Sequence, residues 1–306
     1  MIDRKDLIKA GAHWGHLKSR WCPRMAPYIW GLKDRVHLID VSKTAHQVEV
    51  AAEFLRNLTA EGKTILWVGT KASAQEAVKN AAHKLEMPYV SHRWVGGTLS
   101  NYPQVKKSVT RLLHFEDILD RAADFPLYTK KDLSIIQKNV NRREKTVGGI
   151  RKMTWPIGAV VLVDVNEEGS ALKEAQLMGI PIVGIVDTNG DPSRVDFVIP
   201  ANDDTPSSVN LIVGYLADAA LQGKEVAATK KIEKRERSEA ERSIEEKDLS
   251  PADILALAME EEAAALGKKG ASKSGKADYA DAKLGGAPAR TGQRPGRAPL
   301  KRPVNK

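Results

Sequence analysis

Two histidines three residues apart, His13 and His16 in His13-Trp-Gly-His16, are the nearest approach in this chain to a metal-ligand pair. Zinc accepts imidazole nitrogen together with carboxylate oxygen, so acids from elsewhere would have to complete the shell. Asp187, Asp203 and Asp204 are the candidates, and the ion would be zinc or magnesium, although no cofactor is required. A histidine pair without a cysteine partner also suits plain hydrogen bonding that anchors an N-terminal turn. A single cysteine, Cys22, excludes an internal disulfide framework and a multi-thiolate zinc site. Neither GxGxxG nor GxxxxGK[ST] occurs, and Gly69-Thr70-Lys71 is too short for a phosphate loop. No GxSxG elbow is present.

A different chemistry is written in the bases. Lys18, Arg20 and Arg24 interleave with Trp21, Tyr28 and Trp30. Clustered cations suit phosphate contacts, and aromatics among them could stack on unpaired bases; here Trp21 and Trp30 are expected to pack in a core. Arg93-Trp-Val-Gly-Gly-Thr-Leu-Ser-Asn101 carries two glycines that permit tight turns or close approach to a ligand. Farther on, Lys106, Lys107, Arg142, Arg143 and Lys145 gather at one end of a helical segment, and Lys130 and Lys131 at the other. The expected ligand is a polyanion, held mainly by counterion release from phosphates with little base readout.

The charge distribution supports that reading. Of the net +9, residues 267–306 supply all, with eleven bases against two acids. The remainder is neutral but polarised: residues 1–35 carry +5, 103–152 carry +6 and 153–223 carry −8. Segregation of this kind predicts a basic face and an acidic one, the latter turned away from nucleic acid. The longest apolar stretches, 157–163 and 180–186, are seven residues each, far short of the roughly 18 of a membrane span. The first residues have no apolar signal core, so a cytosolic protein with no membrane partner is expected.

The elements that must position these residues alternate in type. Short Val/Ile-rich runs at 64–70, 88–92, 159–164, 181–187 and 196–200 read as strands covered on both faces. Helical stripes intervene, as in Val48, Ala51, Ala52, Leu55 and Leu58, or Val209, Ile212, Val213, Leu216 and Ala220. The pattern predicts an α/β domain with a parallel sheet of about five strands, built from 1–102 and 151–223. In such a sheet the strands' carboxyl ends form the default ligand crevice, occupied here by Gly69-Thr70, Asp164 and Asp187-Thr-Asn-Gly-Asp191. These residues read equally well as caps and turns.

Residues 103–150 break the alternation with two helical runs, the second opened by a capping-box-like Thr129-Lys-Lys-Asp132. Pairing Val105 with Val147, Leu112 with Val140 and Leu119 with Leu133 folds them into an antiparallel hairpin with its tip near Pro126. Glu116 and Arg143 interrupt that seam. Residues 224–266 read as a charged helical extension containing a short apolar-faced helix at 249–259. The stretch 267–306 reads as a disordered basic tail.

Several motifs occur in a set order: Ala10-Gly-Ala-His-Trp-Gly-His16, Val36-His-Leu-Ile-Asp40 with Lys43-Thr44, Trp67-Val-Gly-Thr-Lys71, Arg93 to Asn101, and Gly148-Gly-Ile-Arg-Lys-Met153. With them the chain closely resembles, over about residues 1–223, the bacterial family of small-ribosomal-subunit protein two. The resemblance implies a flavodoxin-like three-layer sandwich with an inserted helical hairpin, and a structural rather than enzymatic role. It implies contact with small-subunit ribosomal RNA near the head–body junction, neighbouring subunit proteins as partners, and help in attaching the large protein one for initiation. The family's RNA-contacting regions fall on Lys18, Arg20 and Arg24, on Arg93 to Asn101, and on the hairpin. Trp14 and Ser100 stand where Phe and Thr are common, and the long tail has no counterpart to inherit from. Two other classes are set beside this one: a free RNA-binding regulator, and an α/β enzyme using the strand-end crevice.

Overall fold

The computed structural model describes residues 2–121 and 128–248, with side chains described to residue 230. The chain divides into two units, Met1–Lys234 and Arg235–Lys306. Of the second, only helical backbone up to Asp248 is described. The expected hairpin tip at Pro126, the helix at 249–259 and the basic tail lie outside the described residues.

Five strands form the central sheet: β4 (Thr64–Val68), β5 (Tyr89–Val90), β6 (Ile157–Val163), β7 (Ile182–Val186) and β8 (Phe197–Pro200). All neighbours are parallel, in the order β5-β4-β6-β7-β8. Counted within this sheet, that is the 2-1-3-4-5 order of flavodoxin-like folds. The strands' continuous apolarity follows from two covered faces. Ile65, Trp67, Ala159, Val161, Val163, Val183, Ile185 and Ile199 enter one core, together with α2 (Val41–Ala60), α3 (Gln75–Leu85) and the start of α7 (Pro206–Asp248). Their alternate neighbours Leu66, Val68, Val160, Leu162, Ile182 and Val186 enter a second core with α6 (Gly169–Leu177).

The expected helical insertion is α4 (Tyr102–Asp120) and α5 (Lys130–Val147), which pack on each other. Thr129 and Asp132 form the reciprocal capping box at the start of α5. Val105, Val109, Leu112, Val140 and Val147 join the second core, so the base of the hairpin is anchored on the sheet. The two charged seam residues are accommodated rather than disruptive. Arg151 takes Glu116 in two hydrogen bonds, of 3.0 and 2.6 Å, and also pairs with Glu144. The Arg143 guanidinium sits 5.7 Å above the Phe115 ring.

The N-terminal stretch, whose interleaved bases and aromatics also suit a half-buried hairpin, forms a sheet of its own. After the short helix α1 (Arg4–Lys9), strands β1 (Trp14–Leu17), β2 (Ile29–Lys33) and β3 (Val36–Ile39) make a separate antiparallel sheet in the order β1-β3-β2. Gly15, Gly31 and the polar His16, Lys33 and His37 interrupt these runs, so they lack the continuous apolarity that marks the central strands. Trp21 packs as expected, its ring 5.0 Å from that of His37. Trp30 does not: it lies beside a register shift in β2, and 74% of it faces solvent.

Candidate nucleic-acid interface and the charged crevice

At the carboxyl ends of the parallel strands, the crevice is filled by the protein's own charges. Lys71, just past β4, places its Nζ 2.6 Å from Asp203 Oδ1, 2.7 Å from Asp204 Oδ1 and 3.3 Å from Asp164 Oδ2. Burial disfavours the ammonium, but the hydrogen bonds it donates to Asp203 and Asp204 outweigh it and raise the Lys71 pKa. Asp203 is fully buried, and that burial, with Asp164 and Asp187 nearby, lifts its pKa to about 7 despite Lys71. Asp164 ends β6 in a left-handed conformation (φ +66°), which an aspartate tolerates by bonding its own turn; Oδ1 accepts from the backbone of Asn166 and Glu167. Glu168, buried and with its pKa raised for that reason, accepts from the Thr70 N–H at 2.6 Å.

The N-terminal sheet is fastened to this crevice. His16 N–H donates to Thr188 Oγ1 at 2.8 Å, and Cys22 N–H donates to the Thr188 carbonyl at 2.7 Å. A Cβ on Gly15 would lie 2.5 Å from Thr188 Cγ2, so this approach demands glycine. His16 Nδ1 lies 2.9 Å from Asp187 Oδ2, an ion contact not aligned as a hydrogen bond, and Nε2 lies 3.5 Å from Asp204 Oδ2. The Asp187 carboxylate, opposed by burial and helped by Asp203 and Asp204, raises the His16 pKa.

Of the five residues expected as metal ligands, the structure brings together His16, Asp187, Asp203 and Asp204, with donor atoms within 4.8 Å of one another. His13 is a correction. Its ring is tilted against that of Trp14, 5.0 Å between centroids and outside the cluster, and its backbone carbonyl accepts from Ile39 N–H. His13 lies in the turn before β1 and His16 within it, across an irregularity in the strand, so the two imidazoles are not brought to one site. One nitrogen and carboxylate oxygens suit zinc or magnesium, and the buried Asp187 Oδ2 and Asp203 Oδ2 have no aligned hydrogen-bond partner. The Lys71 ammonium, however, already supplies a cation to two of the four.

The bases expected to meet phosphate are disposed differently. Lys18, Arg20, Arg93, Lys106, Lys107, Lys130, Lys131 and Arg142 are exposed, and none has an ion-pair partner among the described residues. Asn101 is exposed at the start of α4, where its side chain makes no cap. Arg24 and Arg143 depart from the pattern. Arg24 is exposed but tied to Asp191 at 2.6 Å and to Ser193 at 2.9 Å, and Arg143 is half-buried over Phe115.

The expectation of an acidic face needs correction too. Of the ten acids in residues 153–223, Asp164, Glu168, Asp187 and Asp203 are buried in the crevice. Glu174 is spent on the loop between Arg93 and Asn101. Its carboxylate accepts from Trp94 Nε1 and from the backbone N–H groups of Gly97, Leu99 and Ser100, at 2.8 to 3.2 Å. Burial works against the charge, but those donors win and lower the Glu174 pKa. Nothing in the sequence marks Glu174, because its partners lie more than 70 residues away.

A family model described as Ribosomal protein S2 matches residues 7–223. The chain belongs to that family. It is therefore a small-subunit ribosomal protein, of a family that is structural rather than enzymatic, and one associated with ribosomal RNA and other ribosomal proteins. The family's motifs acquire physical reasons here. Val36 to Ile39 is β3, Asp40 caps α2 by accepting from Ser42 N–H, and Thr44 Oγ1 donates to the Pro200 carbonyl at 2.6 Å, tying α2 to β8. In Gly148-Gly149, a Cβ on Gly149 would fall 2.2 Å from the Tyr89 carbonyl, so the base of the hairpin closes on β5 only with glycine. Among the described residues, no helix is long and apolar enough to cross a membrane.

Proposed function

We propose that this member of the family binds small-subunit ribosomal RNA through the exposed bases of its N-terminal stretch, its 93–101 loop and its hairpin, near the head–body junction of the bacterial cytoplasmic ribosome. From there it supports attachment of protein one for initiation. The observation that carries the reading is the partition of charge: the crevice cations and acids are paired internally, whereas eight bases expected to meet RNA stand exposed without an acid. Unpaired lysines and arginines on one chain gain by displacing counterions from a polyanion. The crevice argues against a catalytic role, because Lys71 and its acids fill the place where a substrate would sit.

Sedimentation of a lysate under subunit-separating conditions tests the reading. The chain should travel with the small subunit, persist at moderate salt and leave at high salt. A chain found only at the top of the gradient would point to a free regulator or an enzyme.

A second reading concerns the cluster of His16, Asp187, Asp203 and Asp204. The orphaned buried oxygens of Asp187 and Asp203 favour a divalent cation there, zinc or magnesium, with Lys71 drawing back to admit it. Calorimetric titration of the purified chain with each ion tests this. Binding at one equivalent that Asp203→Asn abolishes supports it, and no heat with either ion overturns it.

A further inference from the structure

Between the end of β5 and the base of the hairpin lies a cavity of about 130 Å³. Three separate elements face it: α3 contributes Lys79, the segment after β5 contributes Ser91 and His92, and α5 contributes Lys145 and Thr146. The Lys79 ammonium stands 3.4 Å from His92 Nε2. Neither Lys79 nor Lys145 has an ion-pair partner among the described residues, and the one acid in the lining, Glu144, pairs with Arg151. Ser91 is only 5% exposed and lines the cavity, and its hydroxyl, which reaches the cavity's solvent, makes no hydrogen bond to another described residue. Burial, then Lys79 and Lys145, hold the His92 pKa below its ordinary value.

Two ammonium groups without ion-pair partners, an imidazole and a solvent-reaching hydroxyl line one small cavity whose single acid, Glu144, is already held by Arg151. Like charges brought together by three elements cost stability unless something negative lies between them. A tetrahedral oxyanion supplies what is missing: charge for the lysines and acceptors for Ser91 and His92. We infer that this cavity holds one backbone phosphate of RNA, with Lys79 and Lys145 as its counter-charges and Ser91 and His92 as its hydrogen-bond donors. The inference rests on the RNA-binding reading above and adds a defined subsite to it. Of these residues only Lys145 stood out in the sequence, as one base among several at the base of the hairpin.

The test uses the full chain with labelled histidine rings, the His92 signal being assigned by its loss in His92→Gln. Its titration midpoint is followed by NMR alone, with a short single-stranded RNA, and with inorganic phosphate. A bound phosphodiester must raise the His92 midpoint, saturably, and the double variant Lys79→Ala with Lys145→Ala must abolish that rise while the other histidine signals stay in place. Retention of the double variant on small subunits should fall off less steeply with salt, by about one to two units of log–log slope. A His92 midpoint that RNA leaves unmoved, or moves equally in the double variant, overturns the inference. So does a response to inorganic phosphate without one to RNA, which would make it a site for free anions. If His92 is unmoved while the wild-type chain still sediments with small subunits, only the subsite fails. Loss of wild-type sedimentation overturns the RNA reading beneath it.

Discussion

The strand-end crevice and the hairpin surface are both dense in charge, and they use it in opposite ways. In the crevice, Lys71, Asp164, Asp203, Asp204, Asp187 and His16 face one another at ion-pair distances, and three of the four acids are buried. On the hairpin, Lys106, Lys107, Lys130, Lys131 and Arg142 stand in solvent without acids. Taking a charge out of water costs several kcal/mol unless a partner repays it, so the crevice charges are committed to holding loops and the N-terminal sheet in place. The surface charges have made no such commitment and remain available to a partner. Position in the fold, more than residue type, separates structural cations from binding cations.

Mutation sharpens the contrast, and the largest effect is expected in the crevice. Lys71→Met leaves Asp203 and Asp164 buried without their cation and should cost about 3–5 kcal/mol in denaturant unfolding. Lys18→Ala with Arg20→Ala should move stability by no more than about 0.5 kcal/mol while weakening retention on small subunits. If the two variants unfold at the same denaturant concentration, the division of roles is wrong.

Glu174 lies between the two regimes, an acid that shapes a basic loop. Glu174→Gln replaces an acceptor-only group by one carrying N–H donors of its own, and should cost about 1–3 kcal/mol. The pH dependence has a definite sign. Because the folded-state pKa of Glu174 is lowered from 4.5, its contribution is complete above the unfolded value and is lost as pH falls through the folded one. Wild-type stability should therefore decline with acidification below about pH 4.5 more steeply than that of Glu174→Gln; parallel profiles would contradict the assignment.

Smaller effects belong to the surface. Lys106→Ala with Lys107→Ala should flatten the salt dependence of subunit retention by about two log–log units, with thermal unfolding unchanged. The smallest effect is expected at exposed Glu167: Glu167→Lys should alter stability by about 0.5 kcal/mol or less and leave retention as it was. A loss of retention equal to that of the Lys106/Lys107 pair would mean that the acidic segment also meets RNA.

Much of the fold was legible in the chain because its signals are local. The five Val/Ile-rich runs became the five parallel strands, with bounds shifted by a few residues, and Thr129 with Asp132 made the capping box. The hairpin seam was legible for the same reason, since Val105, Leu112, Val140 and Val147 repeat at helical spacing and are buried. The N-terminal sheet was not, because glycine and polar residues interrupt its apolar runs and β2 is irregular at Trp30. Trp30 itself shows the limit: a large aromatic suggests a core, and only the position of its strand left it in solvent.

The sequence by itself determined the α/β class, the inserted helices, the ordered family motifs and the excess of bases, because periodicity, capping and composition act between near neighbours. Tertiary structure decided what each charge is for. It set His16 in β1 and His13 in the turn before it, brought Asp187 and Asp203 to Lys71 and His16, buried four acids of a segment expected to form an acidic face, and assigned Glu174 to a loop more than 70 residues away. An ion pair is an interaction through space, and its strength depends on separation and on exclusion from water. Neither quantity exists until the chain has folded.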